Sequence, residues 1–355
     1  MRLDDRIKVC IRGLFGSLGN RLYISLQSQQ DIVTAAGIVH EGPILHRAIQ
    51  TLDTRNLPEY IFFDGSASGL ERINAGQTRV KFAPLKDDLG SLVDVLVDAT
   101  NLSKGSQGNL PDFEGVKIIQ ASAYPMGALV APPFTPLQGN NLYLNGDCII
   151  SALSPILYAV KDILSGVKLN ALTQYTKALK DKPRDEVIHA VYIQNGNLIE
   201  MYRRQIKQLL HGNIETSVLP INQIPALKYY TITLELGTTR DISTQELKNR
   251  LMNTPRIFLS PEGVDSTADI ERMRKILMTN RFNYADIPPI VIYSDVLEGS
   301  DKAGPNTAMI FAVIDSTRIA AYANIDSIRT LSTNLSAMES MRKTDQYAGF
   351  VNQMP

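Results

Sequence analysis

The sequence predicts an α/β protein with two domains, and two patterns along the chain indicate it. Over the first 145 residues, short apolar runs rich in Val and Ile alternate with helical stretches, which is typical of βαβ units around a parallel sheet. Beyond that point come longer alternating runs and amphipathic helices, which favour an α+β domain with a mostly antiparallel sheet. The 355 residues also suit about two domains at roughly 150 residues each.

The predicted parts are a first domain at residues 1–145, a second at 146–325, and a C-terminal helix and tail at 326–355. The predicted strands of the first domain are residues 7–11, 32–39, 60–63, 93–97 and 116–120, and residues 12–28 hold a Gly-rich turn and a helix. For the second domain we predict a strand at residues 228–236, helices at 152–164, 243–251, 269–278 and 324–331, and Pro155 in the first turn of its helix.

The composition argues against several classes of partner and site. Lys and Arg together number 36, as do Asp and Glu, and this zero formal charge argues against nucleic acid or an anionic membrane as a partner. Two cysteines and four histidines are too few for a disulfide framework or a tight metal cluster, so we expect no metal and a reducing compartment, the cytoplasm. No run approaches about 18 apolar residues and the N-terminus lacks a signal-peptide pattern, so we expect no membrane span.

A glycine-rich turn follows the first predicted strand. Gly13, Gly16 and Gly19 have the spacing G-x-x-G-x-x-G, and a strand, such a turn and a helix form the dinucleotide site of Rossmann-like domains. Glycines let the backbone approach a pyrophosphate, and the helix N-terminus stabilises its charge. The alternative is a tight turn that needs glycine for its backbone geometry alone. The candidate cofactor-binding residues of this turn are Gly13, Phe15, Gly16, Ser17, Leu18 and Gly19.

The second predicted strand is followed by an acidic residue, Glu41. An acidic residue about 20 positions beyond the glycines can bind the ribose hydroxyls of NAD. Its charge would repel the 2′-phosphate of NADP, so NAD is favoured, although His40 or Arg47 could reverse that preference. The alternative is an exposed loop glutamate, and a chain that binds no dinucleotide stays open.

Cys148 follows an apolar strand and a short turn, at the start of a predicted helix. A helix N-terminus favours the thiolate, which is the nucleophile in covalent catalysis. The negative charge of the adjacent Asp147 opposes that effect. The alternative is a small buried apolar cysteine with Asp147 as the helix N-cap.

Several longer segments resemble one enzyme family. Residues 254–270 (TPRIFLSPEGVDSTADI) and 323–329 (ANIDSIR) are similar to the T-x-R-x-x-L…G-x-D-S-T-A-Q and E-N-I-D-A-I-R segments of archaeal-type glyceraldehyde-3-phosphate dehydrogenases. Residues 233–236 and 243–247 match a strand and a helix of that branch, and residues 93–101 resemble the strand and loop beside its nicotinamide site. The resemblance covers nearly the whole chain.

The resemblance implies oxidation of a small aldehyde in two stages. A cysteine attacks the aldehyde and hydride leaves to NAD or NADP, after which phosphate attacks the thioester. Cys148 falls on the family's nucleophile, and Thr100 and Asn101 fall beside the nicotinamide. The family also implies a homo-oligomer, a tetramer or a dimer.

The segments around the reacting cysteine depart from the family pattern S-C-N-T-T-G. Asp147 replaces the serine, and Ile149, Ile150 and Ser151 replace polar residues that would contact the substrate phosphate and the developing oxyanion. The family's thiol-activating histidine lies in an H-x-H-S segment, which reads K-Y-Y-T at residues 228–231.

These replacements leave weaker candidates for the missing roles. Tyr230, with an ordinary pKa of about 10, and Lys228 could act as acid or base, although both could equally be strand side chains. The family's phosphate-binding Arg pair maps onto Thr176 and Lys177, so Lys177 is the candidate substrate residue, and the H-Q-E near the nicotinamide reads Ile314, Asp315 and Ser316.

Three functions therefore remain open. The first is an altered NAD(P)-dependent aldehyde dehydrogenase that uses Cys148 with weak activity. The second is a paralogue without catalysis that acts as an oligomeric structural or regulatory protein. The third is a dinucleotide-dependent enzyme of different chemistry, with Tyr230 or Lys228 as acid or base.

Overall fold

The computed structural model describes residues 5–40, 45, 57–75, 80–85, 89–100, 115–121, 127–134, 141–174, 192–194, 196–212, 214–224, 229–279 and 285–351. Packing divides the chain into two compact units. The first unit comprises Met1–Val130, Thr135–Asp147 and Ala320–Ser340. The second unit comprises Ala131–Phe134, Cys148–Ile319 and Met341–Pro355.

The first unit contains a sheet in which every strand pairing is parallel. The strand order is β4-β3-β2-β1-β5-β6-β8-β7. Its strands are β1 (Ile7–Arg12), β2 (Ile32–His40), β3 (Tyr60–Asp64), β4 (Ala83–Pro84), β5 (Val95–Asp98), β6 (Lys117–Gln120), β7 (Ala128–Val130) and β8 (Leu142–Asn145). The Rossmann-like parallel sheet predicted from the apolar runs is confirmed.

The second unit contains a mixed sheet in the order β10-β12-β9-β13-β16-β15-β14, with β11 beside β9. Its longest pairings, β9 with β13 and β13 with β16, are antiparallel, whereas β11 and β12 pair in parallel with β9. Its strands are β9 (Leu164–Gln174), β10 (Tyr192–Gln194), β11 (Glu215–Val218), β12 (Ile221–Ile224), β13 (Tyr229–Thr238), β14 (Ile257–Leu259), β15 (Ile290–Ile292) and β16 (Thr307–Asp315). The predicted α+β class of this part is confirmed.

The helices of the described ranges include one at each predicted place, with different bounds. They are α1 (Ser17–Leu26), α2 (Ala67–Ala75), α3 (Cys148–Val160), α4 (Asn197–Leu209), α5 (Thr244–Met252), α6 (Thr267–Thr279), α7 (Ser300–Ala303), α8 (Ser316–Ser332) and α9 (Ala337–Ala348). Ser243 caps α5, because its side chain accepts a hydrogen bond from the Glu246 N–H. None of the helices in the described ranges combines the length and apolar character that crossing a membrane needs.

Both faces of the parallel sheet are covered by apolar side chains. Val9 and Ile11 of β1 lie in one cluster with Leu22 of α1 and Ile325 of α8, whereas Cys10 lies in the cluster on the opposite face. This alternation follows from the period of two along a strand. Burial raises the pKa of the Cys10 thiol, so Cys10 stays protonated and inert.

The prediction for the helix around Pro155 is wrong. Helix α3 begins at Cys148, so Pro155 lies inside the helix rather than in its first turn. Residues 163 and 164 were predicted as helix, but Ile163 follows the helix and Leu164 begins β9. Beyond Leu164, the side chains of Val167, Leu169 and Ala171 are buried at every second residue, which is the period of a strand.

Candidate functional site

The glycine turn joins the carboxyl end of β1 to α1. The Gly13 N–H donates to the Ile38 carbonyl over 2.8 Å, and the Gly16 N–H donates to the Gly13 carbonyl over 2.8 Å. Gly13 has φ +82°, a conformation that side-chain-bearing residues rarely adopt. A Cβ on Gly19 would lie 2.1 Å from the Gly13 carbonyl oxygen, so α1 crosses the turn at a distance only glycine permits.

The N-terminus of α1 is suited to an anion. Gly16 is its N-cap, no side chain caps the helix, and its first turn carries no acidic residue. The first N–H groups of a helix have no partner within the helix, so here they can bind an oxyanion. The side chains beside them are the half-buried Phe15, the exposed Ser17 and the half-buried Leu18. A dinucleotide pyrophosphate therefore fits the turn that the sequence predicts.

The loop after β5 lies against the glycine turn. Asp98 Oδ1 accepts hydrogen bonds from the Thr100 N–H over 3.0 Å and from the Thr100 hydroxyl over 2.5 Å. The methyl carbon of Thr100 would lie 3.0 Å from a Cβ on Gly13. The structure thus brings Thr100 together with the turn, whereas Glu41 and Asn101 lie outside the described residues.

A charged cluster at the same sheet edge was not predicted. Arg12, only 3% exposed, approaches Asp64 over 3.2 Å and Asp98 over 3.5 Å, and His40 Nδ1 lies 3.3 Å from Asp64. These residues end β1, β3, β5 and β2, and the carboxyl ends of parallel strands are where such sheets bind ligands. The signal available in the sequence was a charged residue at the end of each of these predicted runs.

Cys148 is the first residue of α3 and is half-buried. The next two residues, Ile149 and Ile150, are fully buried, and Ser151 is 4% exposed. Their side chains therefore pack in the protein interior. In the described ranges, no three His, Cys, Asp or Glu side chains converge in a way that could hold a metal ion.

Two neighbouring tyrosines begin β13 and point to opposite faces of its sheet. Tyr229 packs with Phe258 and Val313. Tyr230 is half-buried and shares the alternate face with Ile232. Of the two tyrosines, Tyr230 is therefore the one that does not pack in the cluster of Phe258 and Val313. Lys228 lies outside the described residues.

Tyr229 belongs to a buried ionic cluster. Its hydroxyl donates to the Glu271 carboxylate and accepts from Arg274 over 2.8 Å. Arg274 also binds Asp286 over 3.1 Å and Asp315 over 3.4 Å. Burial, together with the hydrogen bond to Glu271, raises the pKa of Tyr229. Tyr229 is therefore a structural residue held in its protonated form.

This raised pKa predicts how Tyr229→Phe changes alkaline stability. Below about pH 10 both folded and unfolded chains keep the tyrosine proton, so the contribution of Tyr229 is complete there. Above about pH 10 the unfolded chain loses the Tyr229 proton before the folded chain does, so the stability contributed by Tyr229 falls as pH rises. The variant should lose about 1–3 kcal/mol near neutrality and show a shallower alkaline decline. Urea midpoints of the wild type and the variant across this pH range test the prediction.

Curated relatives with full-length similarity are archaeal enzymes. The chain is 20% identical over 357 residues to glyceraldehyde-3-phosphate dehydrogenase 2 of Methanosarcina barkeri, covering 98% of this chain and 99% of that protein. It is 22% identical over 360 residues to glyceraldehyde-3-phosphate dehydrogenase of Sulfolobus acidocaldarius, covering 96% of both. The chain is a distant, full-length homologue of archaeal glyceraldehyde-3-phosphate dehydrogenases. No protein-family model matches it.

The fold of the chain is similar to that of solved dehydrogenase structures. Aspartate semialdehyde dehydrogenase II of Vibrio cholerae, complexed with ASA, superposes with a TM-score of 0.58 at 13% identity, covering 96% of this chain and 98% of that one. A second structure of aspartate semialdehyde dehydrogenase II from the same organism gives a TM-score of 0.59 at 12% identity, covering 90% and 97%.

The position that corresponds to the glutamine of the family's H-Q-E segment holds a structural carboxylate. Asp315 is 1% exposed and its Oδ1 accepts hydrogen bonds from the Thr317 N–H over 3.2 Å and from the Thr317 hydroxyl over 2.6 Å. These bonds hold the first turn of α8, and Oδ2 pairs with Arg274. Lys177 lies outside the described residues.

Proposed function

We propose that the chain is an NAD(P)-dependent aldehyde dehydrogenase that reacts through Cys148, with activity altered or weak relative to its relatives. The observation that carries the proposal is the half-buried thiol at the first residue of α3. A helix N-terminus favours the thiolate, and α3 has no acidic residue in its own first turn, so the adjacent Asp147 is the carboxylate that opposes it.

The proposed chemistry begins with attack of the Cys148 sulfur on the aldehyde carbon. A carbon–sulfur bond forms and the carbonyl oxygen gains a proton, which gives a thiohemiacetal. Loss of hydride from that carbon and of the hydroxyl proton oxidises it to a thioester. A bound nicotinamide dinucleotide supplies the hydride acceptor. Phosphate or water then takes the acyl group and restores the thiol.

The weak activity follows from the groups that are missing around the sulfur. A positioned general base contributes about 10² to 10⁴-fold, and Tyr230 and Lys228 are the proposed, poorer replacements for the family histidine. The side chains of Ile149 and Ile150 are fully buried and apolar, so they cannot replace the polar side chains that would donate hydrogen bonds to an oxyanion or a substrate phosphate. Lys177 is the proposed contact for a substrate anion.

The proposed cofactor site is the glycine turn with Thr100, extended by Glu41 and Asn101. The uncapped N-terminus of α1 and the close passage of Gly19 over Gly13 support a pyrophosphate there. We propose NAD in preference to NADP on the charge of Glu41. We propose a cytoplasmic homo-oligomer, a tetramer or a dimer.

Thiol labelling tests the state of Cys148 in the native protein. One thiol per chain should react, because Cys10 is fully buried and Cys148 is half-buried. The reaction should reach half its maximal rate at a lower pH than free cysteine, whose pKa is about 8.5. Cys148→Ser should remove the signal, and Cys10 should react only after unfolding. A rate profile like that of free cysteine would contradict an activated thiol.

A paralogue without catalysis is the second candidate function. The burial of Ile149 and Ile150 and the use of Asp315 to hold α8 favour it, because both positions serve packing rather than substrate. The change in melting temperature on adding NAD or NADP is the first measurement that separates the two functions. A chain that responds to neither nucleotide is not the proposed dehydrogenase.

A further inference from the structure

We propose that the first unit has a second binding site, for a small organic oxyanion, in a cleft at the amino edge of its parallel sheet. The cleft has a volume of about 550 Å³ and is lined by the starts of β1 and β2, the last turn of α1 and residues 57–59. That volume lies within the range of small-molecule sites. The glycine turn follows the carboxyl end of β1, so the two sites lie at opposite edges of the sheet.

Two cations line this cleft without a carboxylate partner. Arg6 and Lys8 are both half-buried, and neither side chain forms an ion pair with any carboxylate in the described ranges. The Nε atom of Arg6 is buried and has no hydrogen-bond partner there. Glu59 also lines the cleft, and its one negative charge leaves a net positive charge beside the two cations. A buried guanidinium N–H without a partner is costly, and an anionic ligand that accepts a hydrogen bond from it would offset that cost.

The cleft also offers a hydroxyl donor and an apolar wall. Thr34 is 7% exposed, lines the cleft, and its hydroxyl has no hydrogen-bond partner among the residues that the structure describes. Leu26 and Ile32 contribute apolar surface to the same cleft. The arrangement suits a carboxylate or phosphate group on a small organic molecule, with the oxyanion between Arg6, Lys8 and Thr34.

The probes for this site are inorganic phosphate and citrate, each titrated into the full chain by calorimetry at constant ionic strength. We expect binding of at least one probe, and which of the two binds tells a phosphate site from a carboxylate site. Arg6→Gln and Lys8→Gln should each weaken it by about tenfold, because each removes a charge-assisted hydrogen bond. Lys81→Gln removes an exposed cation of the same unit and should leave the affinity unchanged.

A competition with NAD distinguishes this site from the glycine turn. Probe binding should persist at a saturating NAD concentration, and Arg6→Gln should leave the NAD affinity unchanged. Displacement of the probe by NAD would place it at the α1 N-terminus and overturn the proposal. Absence of binding, or equal effects of Arg6→Gln and Lys81→Gln, would overturn it as well. None of these outcomes depends on aldehyde oxidation.

Discussion

Arg329→Ala is expected to lower the free energy of unfolding by about 3–5 kcal/mol, the cost of breaking a buried ion pair. Arg329 is fully buried in α8, and its Nε and Nη2 atoms each lie 2.9 Å from an Asp31 carboxylate oxygen. It also donates to Gln29 over 2.9 Å and to the Ser340 carbonyl over 3.2 Å. The variant leaves Asp31, only 8% exposed, without its cation. Denaturant unfolding followed by circular dichroism measures the loss.

Two further variants separate charge burial from loss of a side chain. Arg272→Ala removes a 74% exposed side chain that pairs with Asp269 over 2.8 Å, and it should cost at most about 1 kcal/mol. Replacing both partners, Arg329→Met with Asp31→Leu, should recover part of the stability because no buried charge remains. If the double variant were no more stable than Arg329→Ala, the uncompensated carboxylate would not be the cause.

Gly19→Ala is expected to disrupt the glycine turn. The new Cβ would lie 2.1 Å from the Gly13 carbonyl oxygen and 2.8 Å from the Gly13 carbonyl carbon, so backbone must move. Such overpacking costs about 1–3 kcal/mol. The displaced α1 N-terminus should also lose nucleotide affinity, which a titration with NAD measures beside the melting temperature.

The matched control for Gly19→Ala lies in the same helix. Ile24 is 61% exposed, so Ile24→Ala should leave both the melting temperature and NAD binding close to wild type. A Gly19→Ala protein as stable as Ile24→Ala would contradict the close passage of α1 over the turn. A stable Gly19→Ala protein with unchanged NAD affinity would place the nucleotide elsewhere.

Local patterns were sufficient to predict the glycine turn and strands β1, β2, β3, β5, β6 and β13. The strand before Gly13 is mostly apolar (IKVCIR), and the three glycines mark where strand and helix meet closely. Pro155 favours a helix that begins close to it, because proline is commonest in a first turn, yet α3 starts at Cys148 and continues through Pro155.

Long-range pairings could not be predicted in the same way. Arg329 and Asp31 are 298 residues apart, and no local pattern connects them. The Arg12 cluster joins the ends of four strands, so it becomes visible only once the strand order is known. Strand alternation predicts that Tyr229 and Tyr230 face opposite sides, but only the tertiary partners Glu271 and Arg274 show which one is structural.

The most direct test of the central proposal is the intact mass of the chain after mixing with NAD and glyceraldehyde 3-phosphate, with a plain aldehyde run in parallel. On the proposal that the site lacks groups for later acyl transfer, we expect the thioester to accumulate. The protein should gain the mass of the aldehyde less two hydrogen atoms, with a matching burst of NADH, and Cys148→Ser should show neither. Wild-type protein that forms no adduct and no reduced cofactor, with either NAD or NADP, would contradict catalysis through Cys148.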